Sequence, residues 1–328
     1  MPRLLSALSA LSLMAAALPQ GASARPVPAA LSGKLDPTPR TIIITAFEPE
    51  WVALESAVKG ARSYRINGLI ILTGQIEGKP VVLLQSGVSM VNAAMNTQLV
   101  LDRFNARRIV FSGIAGGIDP SLSIGDVVVA EQWAEYLEVS LGRKVGDRFV
   151  SPDREAITDP LPGYGMLIPR DVRVGNAKEA PRRRRWFGAD PALLTLARTV
   201  AEQTALARCL PPGETIPQTP GVSEAEGRCL DHNPRVVVGG NGISGPAFAD
   251  NADYRQYLFA NFHAQVLDME TAATAHVAYA NLVPFIAFRS LSDLAGGDSG
   301  GGQSFVFGRL AARNAASVVT RYVAALPD

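Results

Sequence analysis

From residue 41 the chain alternates short apolar runs with segments of helical period. Thr41–Phe47 is a β-branched run, the composition of a strand buried on both faces. Pro49 suits the first turn of a helix, where its missing N–H has no partner to lose, and that helix is expected to reach about Val58. Ser63–Leu72, Lys79–Gln85, Arg108–Ser112 and Asp126–Glu131 read as further strands. Met90–Phe104 has helical spacing, with Val91, Ala94, Met95, Leu99 and Leu101 expected to face inward. Later, a small-residue helix opens on Asp268-Met269-Glu270, and the apolar strand Pro284–Phe288 follows it. This alternation predicts an α/β fold, a central mixed, twisted sheet flanked by helices, with residues 41–328 forming a single domain.

Two stretches interrupt the rhythm. Residues 140–190 are rich in Pro, Gly and Arg and show little period until a helix begins near Ala189–Asp190. Residues 209–234 carry Pro-Pro-Gly, Thr-Pro-Gly and Asn-Pro, a loop signature. Long inserts in compact domains are functional lids or disordered segments.

The first residues have a different logic. Arg3 is followed by the apolar run Leu4–Leu18 and by Ala22-Ser23-Ala24, a small-x-small cleavage pattern. Residues 1–24 are therefore expected to be a secretory signal peptide, placing the mature protein in the periplasm or outside the cell. A membrane anchor is the other reading, but the run is short for a bilayer span and meets Pro19. Residues 25–40, dense in proline, read as a mobile leader.

Composition narrows the partners. A net charge of +1 with 19% charged residues calls for neither nucleic acid nor a membrane surface. The basic run Arg182–Arg185 is expected to be a solvated loop, with an anion clamp as the sharper alternative. His232, His263 and His276 are scattered, so no metal site is expected. Cys209 and Cys229 flank the Pro211–Gly227 loop; in an oxidising compartment they are expected to pair, two free thiols being the alternative.

Candidate chemistry gathers where predicted strands end, the edge at which open α/β sheets bind ligands. Glu50 follows the first strand, although the helix dipole alone favours an acidic residue there. Gly113-Ile114-Ala115-Gly116-Gly117 follows another strand, and its glycines would let backbone approach a ligand. Phe248 follows a Gly-Pro turn and could equally be core. Asp268 reads in part as a helix cap, and Asp293 could cap the helix after it. Arg289 could be an ion-pair partner of Glu270 or Glu50.

Taken in order, these segments resemble the 5′-methylthioadenosine/S-adenosylhomocysteine nucleosidases, within the purine-nucleoside and uridine phosphorylase superfamily. Phe47-Glu48-Pro49-Glu50 matches the family's Met-Glu-Glu-Glu segment; Gly113–Gly117 with Ile124–Val129, Ser244–Phe248, Asp268–Glu270 and Arg289–Asp293 match the rest. The resemblance implies hydrolysis of the N-glycosidic bond of a purine nucleoside without a cofactor. Glu50 would activate water with help from Arg289, Glu270 would hold the ribose hydroxyls and Met269 the sugar face, and Asp293 would protonate the purine. Phe248 would stack on the base, with Ala115 and Gly116 beside ribose and base. Phe47, Phe305 or Phe307 and the 140–190 insert would line the 5′ side. A homodimer is implied, because the family builds this pocket partly from a neighbouring subunit. Ile114 stands where the nucleosidases usually carry Ser, and Pro246 replaces an Asp. Phosphorolysis is the alternative chemistry, but Glu50 would repel phosphate; a nucleoside-binding or storage protein without turnover is the alternative class.

Overall fold

Parallel pairing of four buried strands sets the frame. In the computed structural model, which describes residues 33–152, 159–212, 214, 229–297 and 303–327, β1 (Asp36–Thr45) lies between β4 (Lys79–Gln85) and β5 (Phe104–Gly117), and β18 (Phe285–Asp293) pairs with the other edge of β5. Ile42–Ile44, Val81–Leu84, Ile109–Phe111 and Ile286–Phe288 are all buried, as continuous apolar runs in a doubly covered sheet must be. Register aligns Ile42 with Val82 on one side and Ile109 on the other, and Ile109 with Phe285. The carboxyl ends of β1, β5 and β18 therefore open at the same edge.

Around this frame the main sheet grows to 12 strands. β2 (Lys59–Ile66) and β3 (Leu69–Ile76) extend it antiparallel beyond β4; β6 (Val127–Val129) pairs with β18 and with β15 (Val236–Val238). On the other flank β17 (Ala264–Asp268) pairs with β5, followed by β16 (Asn241–Ser244), β7 (Gln132–Glu135) and β14 (Trp186–Gly188). Helices α1 (Glu48–Glu55), α3 (Pro191–Glu202) and α6 (Gln303–Ala325) pack together on one face of the sheet; α2 (Met90–Arg103) packs on α5 (Thr271–Asn281), and α4 (Ala252–Phe262) lies against β17. From Lys34 onward the chain is one compact unit.

Several expectations change in detail. Ser63–Leu72 is a hairpin rather than one strand: Asn67 and Gly68 both take positive φ, 49° and 84°, and turn the chain between β2 and β3. Asn-Gly is the strongest short hairpin signal, and the apolar residues on both sides masked it. Residues 36–40, expected to belong to a mobile leader, are instead part of β1; Pro37 and Pro39 fall where its register with β5 shifts, so their missing donors interrupt no regular ladder. Residues 1–32, where the signal peptide is expected, lie outside the described residues.

The face of α2 is also displaced. Its buried residues are Ala93, Asn96, Thr97, Val100 and Leu101, and Thr97 meets Thr274 of α5, hydroxyl to hydroxyl, at 3.1 Å. Of the five residues expected inside, Leu101 is buried, whereas Val91 and Met95 are 77% and 57% exposed. Polar Asn96 and Thr97 can point inward because each has a partner there, Asn96 donating to the Ser86 carbonyl.

The 140–190 insert is built from short antiparallel ribbons: β8 (Val139–Leu141) with β11 (Leu167–Pro169), β9 (Arg143–Val145) with β10 (Arg148–Val150), and β12 (Val172–Val174) with β13 (Arg182–Arg184). The basic run is a strand rather than a loop, and its cations have partners. Arg182 and Arg184 reach Glu179, Arg184 also lies over the Tyr279 ring, and the buried Arg185 pairs with Asp171. Carboxylates on the insert itself meet those cations. Asp190 caps α3 through the N–H groups of Ala192 and Leu193. Cys209 and Cys229 form a disulfide, their Cα atoms 4.0 Å apart.

Candidate active site

At the shared carboxyl edge lies a cavity of about 200 Å³ lined by Phe47, Glu50, Ala115, Gly116, Phe248, Met269, Glu270 and Asp293, among others. Seven segments supply it, and Arg289 stands behind its wall.

Glu50 comes from the first turn of α1. Phe47, extended at φ −150°, turns the chain so that Glu50 folds back over the end of β1 while Glu48 stays in solvent. Its Oε2 accepts the Ala46 N–H at 2.6 Å and its Oε1 the Ile114 N–H at 2.8 Å. The side chain is only 2% exposed. Burial pushes its pKa above the ordinary carboxylate value, against the downward pull of Arg289 and of the backbone donors.

Arg289, on β18, is fully buried beneath the cavity, its guanidinium carbon over the Phe111 ring at 4.2 Å. Its Nε lies 2.7 Å from Asp268, its Nη2 3.3 Å from Glu270, and its Nη1 3.6 Å from Glu50 while donating to the Ile114 carbonyl at 3.1 Å. Three carboxylates thus converge on one guanidinium. Room for this exists because residue 113 is glycine: a Cβ there would stand 2.2 Å from Arg289 Nη1 and 2.5 Å from Glu50 Oε1.

Glu270 stands at the start of α5 without capping it. Its Oε1 instead accepts the Ser89 N–H at 2.8 Å. Burial raises its pKa to about 7; Arg289 and the Ser89 N–H oppose the rise, and Asp268 and Glu50 add to it. Ser89 holds φ 84° and ψ 158°, a backbone region open essentially to glycine alone. Asp293 ends β18 beside Gly116, its Oδ2 accepting the Ser292 hydroxyl at 2.8 Å and its Oδ1 the Ala295 N–H at 2.9 Å. That second bond closes a turn rather than capping a helix as expected, since α6 begins only at Gln303, and the carboxyl still lines the cavity. Phe248 is 65% exposed at the mouth, on a segment that follows Gly245, where a Cβ would press into the Tyr136 ring at 2.6 Å.

The candidate residues Phe47, Glu50, Ala115, Gly116, Phe248, Met269, Glu270, Arg289 and Asp293 therefore occupy one place. Phe307 does not: it packs against the cluster of Ile124, Leu210, Leu230 and Leu310. The side chain of Phe305 and most of Gly296–Gly302 lie outside the described residues. Ser89 escaped the sequence, because it acts through its backbone. Gly113 and Asp268 were singled out for other roles: Gly113 makes room for the Arg289–Glu50 contact, and Asp268 makes a contact with Arg289 that a capping role does not require. Among the described residues no cluster of three His, Cys, Asp or Glu is placed to hold a metal.

A cavity at the carboxyl ends of parallel strands, walled by apolar groups with a few buried ionisable ones, defines a small-molecule site of the α/β enzyme class. The chain belongs to the phosphorylase superfamily, whose family model matches residues 40–326. It is similar to the 5′-methylthioadenosine/S-adenosylhomocysteine nucleosidase of Mycobacterium bovis, 27% identical over 278 residues that cover 83% of this chain and 92% of the relative. The nucleosidase of the same name from Bacillus thuringiensis is 29% identical over 260 residues, covering 79% and 88%. Among solved structures, that of the Colwellia psychrerythraea nucleosidase in complex with adenine superposes with a TM-score of 0.62 at 26% identity, covering 88% of this chain and 95% of that one.

Proposed function

We propose that this protein hydrolyses the N-glycosidic bond of purine nucleosides of the 5′-methylthioadenosine and S-adenosylhomocysteine kind, releasing the free base and the ribose derivative. The observation that carries this reading is the convergence of Glu50, Asp268 and Glu270 on Arg289. A phosphate nucleophile would enter a site whose one buried guanidinium already faces three carboxylates, and like charges would oppose it. Water meets no such barrier, and a buried carboxylate of raised pKa is suited to take its proton. Relatives named as nucleosidases support the same choice.

In this mechanism Glu270 accepts the ribose hydroxyls and Met269 lies on the sugar face. Phe248 stacks on the purine and Phe47 lines the 5′ side. As the bond between C1′ and N9 lengthens, its electrons pass to the purine and Asp293 delivers a proton to N7. The sugar becomes oxocarbenium-like, and the surplus of buried carboxylates over guanidinium stabilises that positive charge. Water bonds to C1′ while Glu50, aided by Arg289, takes the water proton. Solvent then returns the proton balance between Glu50 and Asp293. Incubation with a nucleoside panel, resolving base and sugar products by chromatography, tests the reading. A protein that binds the nucleosides and leaves them intact would instead be the binding or storage protein.

Two attributes accompany the proposal. The working form is a homodimer. Val88, Val91 and Met95 form an exposed apolar strip running from the cavity wall along α2, of the kind a second copy would cover. The protein is exported through a cleaved signal at residues 1–24, which agrees with a chain whose only two cysteines are bonded together. Mass spectrometry of the purified protein should find an N-terminus near Arg25; an intact Met1 would contradict export.

A further inference from the structure

We infer that Asp268 is a positioning residue that holds the Arg289 guanidinium between Glu50 and Glu270, beyond its service as a helix cap. The two oxygens of Asp268 do different things. Oδ1 accepts the N–H groups of Glu270 and Thr271, both at 3.1 Å, and the Ser244 hydroxyl at 2.5 Å, which satisfies the start of α5. Oδ2 accepts the Thr271 hydroxyl and lies 2.7 Å from Arg289 Nε, both side chains being almost wholly buried. Because Asp268 caps α5, Glu270 at the helix start is released from that duty and turns to Ser89 and Arg289.

Arg289 has three edges, and Asp268 claims one of them. Without that charge, only the Thr271 hydroxyl at 2.8 Å would hold Nε, and the guanidinium would be drawn onto Glu50 and Glu270. The ionisable groups around the cluster are Glu50 from α1, Glu270 at the head of α5, Arg289 and Asp293 from β18, and Tyr136 just after β7. The Tyr136 hydroxyl is pushed up to about 12 by burial and by the charge of Asp268. Removing the Asp268 charge should lower the pKa of Glu270 by taking away a repelling carboxylate, and a guanidinium drawn closer should lower both Glu270 and Glu50.

Aspartate and asparagine cap helices about equally well, which separates the two roles. Asp268→Asn keeps a cap and removes the charge on Arg289; Asp268→Glu keeps a charge and weakens the cap. For the positioning role, Asp268→Asn should move the acid limb of kcat/KM to lower pH and cut kcat about tenfold or more, with a smaller change in KM. Asp268→Glu should melt at lower temperature while its acid limb stays near that of the parent.

This inference rests on the nucleosidase reading for its kinetic arm only. Glu50 and Glu270 have raised folded-state pKa values, so the folded protein retains protons that the unfolded chain has released. Their contribution to stability is present at low pH and is lost as pH rises through the folded values. In Asp268→Asn that loss should occur at lower pH, a shift that melting curves read without substrate. An acid limb and a melting-versus-pH curve both like the parent's in Asp268→Asn would overturn the inference and leave a cap only. Should Asp268→Asn fail to fold, Asp268→Glu decides, and a displaced acid limb in that variant would count against the role. Absence of turnover in the parent would instead sink the proposed function, with the melting curves still judging Asp268.

Discussion

An exposed glutamate is ionised at neutral pH and is a weak base. Glu50 differs because burial makes its anion more basic, while the N–H groups of Ala46 and Ile114 hold both oxygens in place. Loss of that base in Glu50→Gln should cut turnover by about a hundred- to ten-thousand-fold, and Asp293→Asn should do likewise through the leaving base. Equilibrium binding of a nucleoside, read by calorimetry, should survive both changes, whereas progress curves at wild-type rate would reduce Glu50 to a charge at a helix end. The same burial predicts the pH profile. Glu50 and Glu270 are raised, the latter to about 7, so each stays protonated to a higher pH than an ordinary glutamate. Turnover should therefore fall as pH drops through neutrality; an acid limb confined to pH 4–5, the ordinary glutamate range, would contradict the assignment. At this scale the sequence was informative wherever a role is chemical. Glu50, Glu270, Arg289 and Asp293 are the residue types their tasks demand; three stand beside a strand end, whereas Arg289 lies in the middle of β18, which runs on to Asp293 instead of ending at Phe288 as its apolar run implied. It was silent where a role belongs to the backbone, as with the Ser89 N–H, since a strained φ leaves no trace in a side-chain pattern.

Elements matter here chiefly through their ends. β1, β5 and β18 run parallel, so three chemical groups far apart in the chain emerge at one edge. Continuous β-branched and aliphatic runs made those strands legible, and Lys79–Gln85 has the bounds its pattern implied. Ser63–Leu72 misled because apolar residues continue across the Asn67-Gly68 turn, and α2 because its apolar residues outnumber the positions the core can take. Where the loop after β4 enters α2, Ser89 tests the idea that strain is held for function. Ser89→Gly keeps the N–H that meets Glu270 and relieves a conformation costing about 1–3 kcal/mol, partly offset by about 0.5–1 kcal/mol of glycine backbone entropy. Its melting temperature by calorimetry should rise; a fall would mean the side chain is an asset to the fold.

For the whole molecule, the exposed strip on α2 is where the fold looks incomplete. Val91 and Met95 lie four residues apart on one helix face, close to the cavity wall at Val88. Light scattering should give a dimer, and charges introduced as Val91→Asp with Met95→Lys should yield monomers of reduced activity; monomers at full rate would dismiss a shared pocket. The central claim concerns the nucleophile, and the most direct measurement is the fate of labelled water. With the protein turning over a purine nucleoside in ¹⁸O-enriched water, mass spectrometry should find one labelled oxygen at C1′ of the released sugar, at a rate indifferent to added phosphate. Unlabelled ribose 1-phosphate, formed only when phosphate is supplied, would contradict hydrolysis.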